Sequence, residues 1–488
     1  MDAANPLFNV IRLHSANCKP TAALGSGMRP FLLIAPLLLA GCATPVAQPV
    51  ASTDLGRAPP LIASGPLHGT VATDRTMPSA APPPTVPPPP PPQPQPASKV
   101  KQHPPLPPAT PAELAIAKSN RAFAVSLYRQ LATKPGNVFI SPISIAGAFG
   151  PVAAGARGQT RAEIGKVLHF PADDKVLSAS LGGILRTLES DGEGHQVNIA
   201  NALWPGTRFP IEPNFIELAK RSYDADVEAL DFADSATAAA RINNWVDRKT
   251  NSRIPQLFEP DAFDVDTALV ITNAVYFLGE WQESFDPRWT KLQPFYLADG
   301  TTRNVPMMSA GGMRAIYLGA GEVHPPADAV ELLELPYKGD RLSMVVILPQ
   351  TRDGLPAVEA GLSAAKLDKW LESIDSAKPY PQDELQLPRM QFESKYELVN
   401  PLKALGMRAA FDAANFRGIS KIPLFIDAVV HKTFLKVDEK GTEAAAATGI
   451  VISGERDHWE FRANHPFLFL IRDKQTGAIL FLGRFAGP

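Results

Sequence analysis

Covalent chemistry needs a nucleophile, a base or a metal-binding set at workable spacing, and this chain of 488 residues is poor in all three. Its two cysteines, Cys18 and Cys42, both lie near the amino terminus, so the rest of the chain has no thiolate, disulfide or cysteine metal site. The nine histidines are dispersed. His431 and His465 flank strand-like runs, where a lone histidine more often packs or hydrogen-bonds than acts as a base. No H-E-x-x-H, G-x-S-x-G, P-loop or strand-flanked G-x-G-x-x-G occurs. The chain therefore reads as a non-enzyme with no metal and no cofactor. One segment is chemically odd in another way: "DEKGTEAAAATGIVISGERDHWEF", Asp438 to Phe461. Ala444 to Ala447 favour helix, while Ile450 to Ile452 favour strand. Such local conflict concentrates at functional or strained sites.

The elements that must carry this segment fall in the last four-fifths of the chain. Fifty prolines are too many for one compact domain, and they concentrate before residue 109. Residues 1–42 read as a leader. Arg29 precedes the apolar run Phe31 to Leu39, which is too short to span a bilayer and suits a secretory signal. Leu39-Ala40-Gly41-Cys42 resembles the bacterial lipobox, in which the cysteine is diacylated and becomes the mature amino terminus; an ordinary cleaved signal with an incidental cysteine is the alternative. Met28 fits a functional start. No aspartate follows Cys42, which resembles an outer-membrane lipoprotein. Residues 43–108, including "PPPTVPPPPPPQPQP", read as a polyproline-type stalk, with a proline-recognition ligand as the sharper alternative. A net charge of -2 gives no basic field for nucleic acid.

Residues 109–488 read as one α+β domain. Thr110-Pro111-Ala112-Glu113 forms a capping box, and Leu114, Ala117, Leu127, Tyr128 and Leu131 make an apolar stripe behind it. A second helix is expected near Ala238 to Lys249, with Ile242, Trp245 and Val246 inward. Strands are expected at Ala268 to Phe277, Leu342 to Leu348, Thr433 to Val437, Pro466 to Ile471 and Ile479 to Phe485. Helices come early and strands late, without βαβ alternation, so the sheets are expected to be mainly antiparallel.

Several stretches, in order, resemble the serpin family of protease inhibitors: "NVFISPISI", "GARGQTRAEI", "IANALW", "INNWVDRKTNSRI", "ITNAVYFLGEWQESFDP", "VPMM", "LELPYKGDRLSMVVILP", "LPRM", "LGMRAAF" and "FRANHPFLFLI". Ser252 stands where the family pattern has glycine. The resemblance covers about residues 110–488. It implies three β-sheets, about nine helices and an exposed reactive loop. Ser141, Ser144, Asn273 and His431 match the family's shutter, a polar network beneath the main sheet, and Trp281 matches its breach. Asp438 to Phe461 matches the loop. Glu439, Gly441, Thr442, Glu443, Ala444, Ala445, Ala446, Ala447 and Thr448 match its hinge, which enters the main sheet as a new strand.

This loop has the composition that entry requires. Gly441 to Ile452 contains no proline, so every backbone donor is free to pair. Thr442, Ala444, Ala446 and Thr448 share one face under strand alternation and are small, while Glu443 takes the other face. Gly441 offers a pivot. Family spacing puts the scissile bond at Glu455–Arg456, implying a glutamate-preferring protease. A one-residue shift puts Arg456 before the bond and implies a trypsin-like target; cleavage within Ile450 to Ile452 implies an elastase-like one. The expected partner is a serine or cysteine protease, trapped covalently by a monomeric inhibitor tethered to the outer membrane through Cys42. A non-inhibitory member acting as a surface binding module is the competing reading.

Overall fold

Three sheets and ten α-helices make up the described part of the protein, a computed structural model covering residues 108–189, 194–319, 326–442 and 460–488. The expected capping box opens the first helix, Pro111–Leu131: Thr110 accepts from the Glu113 amide, and the Glu113 carboxylate accepts from the Thr110 amide. Ala117, Leu127 and Tyr128 of the expected stripe are buried, but Leu114 is 46% exposed because its first turn overhangs the core. The tenth helix, beyond the nine expected, is the short turn Ala409–Asp412.

A seven-stranded antiparallel sheet ends in the carboxy-terminal strands Phe467–Asp473 and Ile479–Phe485, with Val138–Ile140 on its edge. Phe139 joins this sheet to the next by stacking on Phe481, Phe392 and Phe469 at 5.0, 5.4 and 5.8 Å. The chain then turns directly into the helix Pro142–Gly155, which is almost wholly buried. A four-stranded sheet carries Glu460–Arg462, the first described residues after the reactive-loop segment, paired parallel to Glu384–Pro388.

The six-stranded sheet positions the site. Its long central strands are His195–Pro205, Leu269–Glu280 and Ala428–Val437, with Met390–Glu397 beyond. Most pairs are antiparallel, but Ala428–Phe434 runs parallel to Val270–Tyr276 in a seven-pair ladder. Parallel neighbours leave a seam into which an antiparallel strand can fit on both sides. One face of the sheet covers the helix Pro142–Gly155. The other carries the helix Ser235–Lys249, whose Ile242, Trp245 and Val246 pack on Trp204, Val270 and Ala274, as the sequence stripe required.

Candidate functional site

The described part of the hinge lies at the end of the parallel seam. Beyond the Phe434–Tyr276 pair the two strands part. The chain passes Val437, reverses in a tight turn closed by Asp438 and Gly441 amide–carbonyl bonds, and returns as Gly441–Thr442. These two residues pair antiparallel with Glu280 and Gly279. A wedge of two residues therefore already occupies the top of the seam.

Close packing fixes this wedge. A Cβ on Gly441 would sit 2.0 Å from the Gly279 carbonyl oxygen, and its φ of +145° is one that side chains rarely adopt. Glycine is needed here for close approach, a more restrictive role than the pivot expected from sequence. Thr442 is fully buried, with its hydroxyl 3.0 Å from that of Tyr337. Tyr337 stacks on Trp281 at 4.6 Å and 9°. Trp281 is itself buried; its indole N–H donates to the Asp438 carbonyl at 3.0 Å and its amide donates to Lys440 at 2.9 Å. Glu439 is buried beside them, accepting from Arg389 at 2.8 Å and from the Thr290 hydroxyl. Burial alone would raise its pKa, but these hydrogen bonds and the Arg389 charge hold the carboxyl below its ordinary value.

Six residues further along the seam lies a buried polar row. Asn201, Asn273 and His431 stand opposite one another on three adjacent strands. Asn273 Nδ2 donates to Asn201 Oδ1 and to Ser144 Oγ, both at 2.5 Å. The Ser141 amide donates to His431 Nε2 at 3.0 Å. That contact makes Nε2 an acceptor, so Nδ1 carries the proton and donates to Asn273 Oδ1 at 2.5 Å. Burial pushes the His431 pKa down to about 3, which keeps the imidazole neutral. The His431–Asn273 bond crosses the seam and holds its two strands together.

Ser141, Ser144, Asn273 and His431 thus come together, while Trp281 lies at the wedge with Glu439, Gly441 and Thr442. Glu443, Ala444 to Ala447, Thr448, Glu455 and Arg456 lie outside the described residues, as does Cys42. Sequence reasoning missed Asn201, Tyr337 and Arg389. Each sat inside a quoted motif, but only strand register and side-chain contact reveal what it touches.

A buried polar row thus spans a parallel seam, and a glycine-led wedge sits at its end. Residues 118–488 match the family model "Serpin (serine protease inhibitor)". The chain belongs to the serpin family. A serpin-like protein of Methanosarcina acetivorans is 35% identical over 382 residues, spanning 77% of this chain and 87% of that one. The leukocyte elastase inhibitor of Bos taurus is 37% identical over 386 residues, covering 76% and 99%. Among solved structures, Serpin48 of the insect Tenebrio molitor, described as a highly specific serpin, superimposes with a TM-score of 0.67 at 31% identity, covering 76% of this chain and 98% of that one. This serpin therefore has relatives of inhibitor name and shares its fold with solved family members.

Proposed function

We propose that this serpin is an inhibitor of serine or cysteine endopeptidases that traps the acyl-enzyme by inserting its cleaved loop into the six-stranded sheet. The observation that carries the reading is the seated wedge: Gly441–Thr442 already pairs antiparallel with Leu269–Glu280 at the mouth of a parallel seam. Continuing that register sets Ala444 opposite Phe277, Ala446 opposite Val275 and Thr448 opposite Asn273, all on the core side. Ala445 and Ala447 would fall opposite Tyr276 and Ala274. Ala274 lies under Trp245 and Phe258, where alanine fits and bulk does not.

Insertion would replace one parallel ladder by two antiparallel ones, a net gain on the order of ten backbone hydrogen bonds at about 1 kcal/mol each. At about 3.3 Å per residue the cleaved end would travel roughly 40–50 Å. A protease held there by its acyl bond is dragged and distorted before water can release it. The protease supplies the catalytic serine or cysteine; the bait is Glu455–Arg456. The leader and stalk, residues 1–42 and 43–108, would export the domain and hold it on the bacterial outer membrane through acylated Cys42. Its sequence context, Leu39-Ala40-Gly41-Cys42, supports that placement.

Incubation with a panel of serine and cysteine proteases should give an SDS-stable complex whose mass is the sum of protease and truncated inhibitor. Loop cleavage by every protease tried, with no complex, would overturn inhibition and favour the binding-module reading. Fatty-acid labelling that survives Cys42→Ser would overturn the anchor.

A further inference from the structure

The end of the parallel seam farthest from the wedge is closed by a carboxylate. Asp427 immediately precedes the strand Ala428–Val437. Its Oδ2 accepts from two consecutive amides where the neighbouring strand begins, Ala268 at 2.7 Å and Leu269 at 3.0 Å. Its own amide donates to the Leu269 carbonyl at 2.9 Å. One residue therefore grips Leu269 through both of its backbone groups, and the two bonds to the carboxylate are of the stronger, charge-assisted kind. Asp427 is exposed. A freed carboxylate there regains water and needs no new protein partner.

A second carboxylate supplies the contrast. Glu397 accepts from the Val429 amide at 2.8 Å and the Val399 amide at 3.1 Å. It joins Ala428–Val437 to Met390–Glu397, a pair outside the seam. Both carboxylates hold the start of one strand, but of the two it is Asp427 whose bonds cross the seam. The reach of the chain adds a second point. Thr442 is paired to Leu269–Glu280 and Glu460 to Glu384–Pro388, in different sheets, so the uncut chain between them is tethered at both ends. It can enter the seam only as far as it can also return, less than half of its 17 residues, or under roughly 28 Å at about 3.3 Å per residue. Below the wedge the strand runs on from Leu278 to Leu269, roughly 33 Å on the same scale. An uncut loop stops short of Asp427, whereas a cut one is long enough to pass it.

We propose that Asp427 is the terminal latch of the seam. Its carboxylate keeps the far ends of Leu269–Glu280 and Ala428–Val437 joined in the intact protein and is released into water only when a cleaved loop fills the seam to its end. Asp427 is thus a positioning residue for trapping: it reserves full opening of the sheet for the cleaved state. The inference rests on the insertion reading above.

Asp427→Ala, Asp427→Asn and Glu397→Ala test it, each in the full chain and each melted intact and after loop cleavage. Endoproteinase Asp-N makes the cut before Asp457; it is a metalloprotease that forms no acyl-enzyme, and mass spectrometry confirms the site. Asp427→Ala should lower the melting temperature of the intact protein by about 2–4 °C and that of the cleaved protein by less than about 1 °C. Asp427→Asn keeps one oxygen acceptor without the charge. It should show the same split at about half the size, and it carries the test if Asp427→Ala fails to fold. Glu397→Ala should lower both forms alike. Equal losses in both forms for the Asp427 variants, or a Glu397→Ala loss confined to the intact form, would overturn the latch and leave insertion standing. A wild-type protein that gains no stability on cleavage would instead overturn insertion itself, and this assignment with it.

Discussion

Replacing Thr442 by arginine attacks the first step of insertion. The threonine is fully buried, its hydroxyl lies 3.0 Å from Tyr337, and Tyr337 is pinned by Trp281 at 4.6 Å. A guanidinium at this position would have to replace a small hydroxyl that is fully buried against Tyr337. In the intact protein the wedge would leave the seam, losing its short pairing with Gly279 and Glu280 and the Tyr337 contact. At about 1 kcal/mol per hydrogen bond this destabilises the seated hinge by roughly 2–3 kcal/mol. During insertion the penalty is larger, because the arginine must be buried unpaired or the strand must begin without it. Taking about 3–4 kcal/mol for that step, insertion slows roughly 10²- to 10³-fold. Hydrolysis of the acyl-enzyme would then outrun trapping. Densitometry of SDS gels after reaction with a complex-forming protease gives the ratio of covalent complex to cleaved inhibitor. Thr442→Arg should move almost all product into the cleaved band. An unchanged ratio would refute the claim that the wedge is where insertion begins.

Three further outcomes follow from the same geometry. His431 has a folded pKa of about 3 against 6.5 in the unfolded chain, so the unfolded state binds more protons between those values. Its contribution is complete above pH 6.5 and is lost as pH falls toward 3, on the order of a few kcal/mol. Denaturant unfolding at pH 7, 5 and 4 should show this slope in the wild type and a flatter one in His431→Gln; parallel slopes would contradict it. Glu439→Gln leaves Arg389 without its anion, and because Arg389 is 45% exposed to water the loss should be only about 1–2 kcal/mol, read as a lower melting temperature of the intact protein. Ser252 adopts φ +59° at the end of the helix Ser235–Lys249, so Ser252→Gly should stabilise by about 0.5–1 kcal/mol in the same assay; a loss would show that its contact with Asp247 outweighs the strain.

Much of the fold was legible because its signals are local. The Thr110 box, the Ile242-Trp245-Val246 stripe and the strand Ile479–Phe485 lie where periodicity and capping place them. The strand expected from Thr433 begins five residues earlier, at Ala428. His431 and Lys432 interrupt the apolar run, yet both are buried, because Asn273, Ser141 and the Gln256 carbonyl satisfy them from far along the chain. A hydropathy reading has no means of seeing partners that distant. Leu114 errs the other way: its helical phase is right, yet it stays 46% exposed among the described residues.

For the site, residue types alone marked the loop, since the absence of proline and the alternation of small side chains from Thr442 to Thr448 are properties of the chain itself. The family motifs named Ser141, Ser144, Asn273, His431 and Trp281. Tertiary structure decided the rest: that the seam is parallel, that its closing bond runs from His431 to Asn273, that Gly441 serves close approach to Gly279, and that Ser141 keeps an unmatched hydroxyl. Strand direction, register and hydrogen-bond valence depend on which distant segments meet. Composition and spacing specify what a residue can do; only the fold specifies what stands opposite it.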